Sequence, residues 1–100
     1  MIPKIQSVHF DADKRLIDFI NEKVLKLRQF HDGILDSDVI LRLDKAGDQN
    51  NKTAEIKLHL KGSQLFAKKQ CSTFEEAVDT TIDALRTQIK KAKEKAISNH

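Results

Sequence analysis

The sequence has no tryptophan, no tyrosine and one cysteine, and its three glycines are scattered at positions 33, 47 and 62. A lone thiol, Cys71, excludes a disulfide within the chain and therefore a disulfide-stapled fold. Scattered glycines exclude a glycine-rich phosphate loop, which needs clustered backbone N–H groups to cradle a nucleotide. No apolar run approaches the roughly 18 residues of a membrane-spanning helix, and the opening Met1-Ile2-Pro3-Lys4 leads into no signal-peptide core. The expectation is a soluble chain in a reducing cytoplasm. The only aromatics are five phenylalanines at 10, 19, 30, 66 and 74, and most fall on or beside apolar stripes. Readers of single-stranded RNA sequence stack bases on exposed aromatics. With few to offer, this chain is expected to hold any RNA as a folded object, through phosphates and shape.

What is present is charge of both signs, 18 Lys and Arg against 15 Asp and Glu over 100 residues. Length and mixture suit one globular domain, residues 1–100, with a small core. The net +3 is unevenly spread. Residues 1–48 hold eight basic and nine acidic side chains, whereas residues 49–100 hold ten and six. The stretch from Arg86 to His100 has five basic and one acidic, so an anionic partner is expected to dock there first.

Residues 4–10 (KIQSVHF) read as a short strand. Asp13 reads as an N-cap before a helix over 14–30, where Leu16, Ile20, Val24, Leu27 and Phe30 form one apolar stripe and Gly33 supplies the stop. Residues 35–45 alternate through Val39, Leu41 and Leu43, and 53–61 through Ala54, Ile56, Leu58 and Leu60. Residues 47–51 are the loop between these strands. Gly62 permits a hairpin into a weaker strand over 64–71, through Leu65, Phe66 and Ala67. Ser72 and Thr73 stand at capping-box spacing from Glu75 and Glu76. They open a long helix, to about Lys95, with a stripe of Phe74, Val78, Thr81 or Ile82, Leu85, Ile89 and Ala92. The order β-α-β-β-β-α, with one-sided strands and two amphipathic helices, predicts an α+β two-layer sandwich. Its four-stranded sheet carries both helices on one face, and the first helix joins two parallel strands.

Catalytic and metal chemistry find little support. His9, His31, His59 and His100 match no recognised ligand spacing with each other or with Cys71. Cys71 stands near a helix N-terminus, which acidifies thiols, but has no nearby histidine base. Asp36, Asp38, Asp44 and Asp48 do not match a calcium loop. No enzyme activity, cofactor or metal is therefore expected. The basic residues are the better lead. With Leu85 toward the core and 100° per residue, Arg86, Lys90 and Lys93 form one flank of the second helix and Lys91 and Lys95 the other. Lys23 and Lys26 share a flank of the first helix with Phe19 and Phe30. Solvated helix faces that complement the macrodipole would look the same.

The element order, together with FEEAVDTTIDALRTQIKKAKEK in the second helix, resembles the ribosome hibernation-promoting factors and the related ribosome-associated inhibitor. The resemblance runs from about Lys4 to Lys95. LIDFINEKVLKLRQFHD is similar to that family's first helix, through Lys23, Lys26 and Leu27. Ala77-Val78-Asp79, Leu85, Gln88, Lys91, Lys93 and Lys95 are similar to its second. Thr73-Phe74-Glu75 stands where the family commonly has Asp-Met-Tyr, and Thr87 where it has Arg. The resemblance implies a double-stranded-RNA-binding-like fold and a non-enzymatic translation inhibitor. It implies that the protein occupies the decoding channel of the small ribosomal subunit, excludes messenger RNA and tRNA, and keeps the joined ribosome inactive. The partners it implies are the small subunit, its ribosomal RNA and the joined ribosome, with no membrane, no small-molecule substrate and a monomer when free. The rRNA-binding residues it implies are Lys23, Lys26, Lys91, Lys93 and Lys95, then Arg86 and Lys90. The resemblance implies the short type, expected to be without a ribosome-pairing C-terminal domain. Two alternatives stay open: a general binder of structured RNA and a non-catalytic protein-interaction domain.

Overall fold

The two periodicities divide the chain into β1 (Lys4–Val8), α1 (Lys14–Phe30), β2 (Ile34–Leu43), β3 (Lys52–Leu60), β4 (Ser63–Cys71) and α2 (Phe74–Ser98). The computed structural model describes residues 3–31, 33–44 and 50–98, with side chains to residue 92. The expected loop at Gly47, Asp48 and Gln49 lies outside the described residues. The sheet order is β1-β2-β3-β4. β1 runs parallel to β2, as a helical crossover requires, and the other neighbours are antiparallel.

Local chemistry sets the element ends. Asp13 takes an extended conformation, and its carboxylate accepts the Leu16 N–H at 2.9 Å, which caps α1. Thr73 caps α2 by accepting the Glu76 N–H at 3.1 Å through its hydroxyl. Gly62, at φ 82°, makes the β3–β4 turn in a conformation that L side chains rarely adopt. Gly33 does not stop α1 as expected. The helix ends two residues earlier, with His31 extended and its N–H donating to the Leu27 carbonyl at 3.0 Å. The imidazole then folds back, and the Gly33 N–H donates to its Nδ1 at 2.8 Å. A Cβ on Gly33 would stand 2.6 Å from the ring. The backbone at Gly33 is not left-handed, and what lies close to it is the His31 ring.

The core lies between one face of the sheet and the two helices. Val39 and Leu41 from β2, Ala54, Ile56 and Leu58 from β3, and Ala67 from β4 meet Ile20, Val24 and Leu27 of α1. Ile34 of β2 and Phe74, Ala77, Val78, Ile82, Leu85 and Ile89 of α2 complete it. Each fully buried Leu or Ile contributes about 1.5–3 kcal/mol of transfer free energy. Thr81 is also buried, and its hydroxyl donates to the Ala77 carbonyl at 2.7 Å, so its polar group is not stranded.

Both helical stripes are shorter than the pattern suggests. Phe30 is 41% exposed and Ala92 is exposed, because each falls past the end of the packed surface. The opposite face of the sheet is open. It carries Lys4 and Gln6; Asp36, Asp38, Ile40 and Arg42; Glu55, Lys57 and His59; and Phe66 and Lys68.

Candidate nucleic-acid interface

Two contacts mark how the helices lie. Lys23 Nζ stands 3.2 Å from Asp79 Oδ1, and the Arg86 guanidinium lies 5.9 Å from the Phe30 ring centre. Seven residues separate the two contacts on each helix, so α1 and α2 run parallel in a constant register. Phe30 ends α1 level with Arg86, and the remaining twelve residues of α2 overhang it. At 1.5 Å per residue, the overhang is roughly 18 Å long.

This geometry divides the expected cations into two groups. Lys23, Lys26 and Arg86 gather in a cleft of about 140 Å³ between the helices, together with Asp79 and Asp83. Each has an acid within 4 Å. Lys23 pairs with Asp79, Lys26 with Glu22 at 3.8 Å and Arg86 with Asp83 at 3.9 Å. Lys23 also lies 5.4 Å from the Phe19 ring centre, as their shared flank predicts, and its side chain is only 33% exposed. Arg86, not a lysine of α1, takes the Phe30 ring. Exposed pairs such as Lys26–Glu22 and Arg86–Asp83 are worth at most about 1 kcal/mol, so a phosphate can compete for their cations. Lys23 is held more firmly.

Lys90 and Lys91 form the second group. Both are exposed on the overhang, on opposite flanks, and neither has an ion-pair partner among the described residues. Lys93 and Lys95 lie outside the residues whose side chains are described. Lys61 in the β3–β4 turn and Arg28 in the last turn of α1 are exposed toward the same end of the fold. The helix dipoles point their negative ends this way, which favours cations there.

The other end has the opposite character. A hollow of about 520 Å³ has Phe10, Leu16, Phe19 and Phe74 in its wall, with Phe10 and Phe74 stacked at 4.4 Å between ring centres. Its rim carries Asp11, Asp13 and Glu75 against Arg15 alone, which suits no polyanion. Among the described residues, no group of three or more His, Cys, Asp or Glu side chains could hold a metal ion, and no helix is long and apolar enough to cross a membrane. Cys71 is half-buried, 4.0 Å from the Thr80 hydroxyl, with no histidine beside it among the described residues.

One exposed group departs from the expected pattern. Phe66 is 49% exposed on the open face of the sheet, not on an apolar stripe. Leu65, Phe66 and Ala67 are consecutive, so either phase of alternation fits them. The flanking Gln64 and Lys68, in phase with Phe66, are the signal for the outward side. The side-chain amide of Gln88 reaches from α2 and donates to the Phe66 carbonyl at 2.9 Å.

Comparison with known proteins identifies the architecture. A ribosome hibernation promoting factor of Klebsiella oxytoca is 32% identical over 78 residues, 78% of each chain. That of Escherichia coli (strain K12) is 31% identical over 85 residues, 85% of each chain. The N-terminal domain of Thermus thermophilus Protein Y superposes with a TM-score of 0.76 at 26% identity, covering 91% of this chain and 98% of that one. A ribosomal subunit interface protein from Coxiella burnetii has the same fold, with a TM-score of 0.82 at 20% identity over 94% of this chain and 99% of that one. The family model for Sigma 54 modulation protein / S30EA ribosomal protein matches residues 4–97, nearly the whole of the described fold, and this chain belongs to that family.

Proposed function

We propose that this protein binds the ribosome and holds it inactive, docking its basic end against ribosomal RNA in the decoding region of the small subunit. Membership of a family whose relatives are named ribosome hibernation promoting factors carries this reading. The arrangement of charge supports it. Lys90 and Lys91 project from an overhanging helix with no ion-pair partner among the described residues, and Lys26 and Arg86 can be drawn from weak exposed pairs. Such cations neutralise phosphates and release counterions without reading base sequence. A two-helix surface stiffened by a common core presents them at low entropic cost. Exclusion of messenger RNA and tRNA follows if the fold occupies their path, and no catalytic group is needed for that.

Binding of the purified protein to separated subunits tests the reading. Stoichiometric binding to the small subunit, displaced by tRNA and weakened by salt, is the expected result. Equal binding to any structured RNA would favour a general RNA-binding module.

A further inference from the structure

The helix-end docking above has no use for the open face of the sheet. Its charges are not equivalent. His59 Nε2 lies 2.8 Å from Asp38 and 3.6 Å from Asp36, and Arg42 lies 3.3 Å from Glu55. The carboxylates in the middle of the face are thus engaged. Lys4, Lys57 and Lys68 are exposed and have no ion-pair partner among the described residues. The charged side chains on this face that have no ion-pair partner among the described residues are lysines.

The register places an aromatic among these lysines. Lys4 is level with Asp38, Asp38 with Lys57, and Lys57 with Phe66, so the four form one row across the sheet. Three strand spacings make that row roughly 14 Å long. Lys68 follows two residues after Phe66 on the same side. Lys4, Ile40, Lys57 and Phe66 share a depression of about 390 Å³ with Gln6 and with Asp38 and Glu55, the carboxylates paired to His59 and Arg42. Phe66 forms one wall, and its backbone is fixed from behind by Gln88.

We propose that this face is a second RNA contact, taking one unpaired nucleotide with its base on Phe66 and Ile40 and the adjoining phosphates on Lys4, Lys57 and Lys68. The inference rests on the reading that the protein acts on RNA. It adds a class of target, an unstacked base, which the helix-end lysines do not select. Base–aromatic stacking tolerates any base, and lysines around the ring supply the backbone neutralisation that single-stranded binding requires. A protein partner fits this surface less well. Stable protein interfaces bury about 800 Å² per side with few charges at the centre, whereas this face offers Val8, Ile40 and Phe66 as isolated apolar groups among charged ones.

The test is an NMR titration of the isotope-labelled full chain with a single-stranded RNA hexamer and, separately, with a blunt RNA duplex. It is repeated with Phe66→Leu, which keeps the apolar bulk without the ring, and with Phe66→Tyr, which keeps the ring. The hexamer is expected to shift the amides of Lys57, Phe66 and Lys68. The Phe66→Leu variant is expected to lose about tenfold in hexamer affinity while Phe66→Tyr holds it, and duplex binding should be unchanged by either. A hexamer that shifts only α2, or that binds the Phe66→Leu variant as well as the parent, would overturn the second contact and leave the helix-end reading standing. Failure of both RNAs to shift any amide would remove the RNA reading and this inference with it.

Discussion

Lys23 of α1 and Asp79 of α2 form a 3.2 Å ion pair that ties the parallel helices together and neutralises one of the cations expected at the RNA surface. The Lys23 ammonium also lies near the Phe19 ring, so two attractions compete with any phosphate. Asp79→Asn should therefore release it. Affinity for ribosomal RNA is expected to rise severalfold. Stability in urea should fall by no more than about 1 kcal/mol, because both partners are partly solvated. Binding curves at fixed salt and an unfolding titration check the two halves of this prediction.

Lys90 and Lys91 have no paired acid to give up among the described residues and should act additively. Changing both to alanine is expected to weaken binding and to lower the slope of log affinity against log salt by about one unit per lost phosphate contact. Helix content should be unchanged, since alanine favours a helix. A slope equal to that of the parent would remove both residues from the interface.

The helix overhang separates the two groups of cations, and it is only partly legible in the sequence. Alternation and 3.6-residue periodicity place every element within about three residues of its observed ends. Asp13 and Thr73 announce the helix starts, because capping is a local event between residues three apart. The parallel β1–β2 pair follows from the length of the crossover. What depends on the partner element is hidden. The ion pair of Lys23 with Asp79 and the packing of Arg86 on Phe30 arise from a register 56 positions apart in the chain. The outward turn of Phe66 is set by which phase of β4 faces the core, and three consecutive apolar residues leave that choice to the sheet register. Glycine commonly serves as a left-handed helix stop, which is what Gly33 suggests, whereas its backbone is not left-handed and the His31 ring folds over it.

Core and turn should respond very differently to small substitutions. Leu85 is fully buried, between α2 and the sheet. Leu85→Ala is expected to cost about 2–5 kcal/mol, a large share of the stability of a domain this size. Gly62 is open on its outer side, where a Cβ would meet nothing within 4 Å, yet it has a positive φ. Gly62→Ala should cost about 1–2 kcal/mol through backbone strain alone. Urea midpoints for both variants measure this contrast directly.

Gln88 holds the outer edge of β4 through the Phe66 carbonyl. Gln88→Ala should cost about 0.5–1.5 kcal/mol and loosen that strand locally. Faster amide hydrogen exchange in β4, with β2 and β3 unaffected, is the expected pattern. Uniform acceleration across the sheet would show that the bond supports the whole fold.

The proposed inhibition depends on the basic end of this fold docking on the small ribosomal subunit where tRNA would lie. Co-sedimentation with purified small subunits at two salt concentrations, with and without tRNA and messenger RNA, tests it most directly. One copy bound per subunit, lost on adding tRNA and markedly weaker at the higher salt, is the expected result. Binding without defined stoichiometry, or binding indifferent to tRNA, would contradict it.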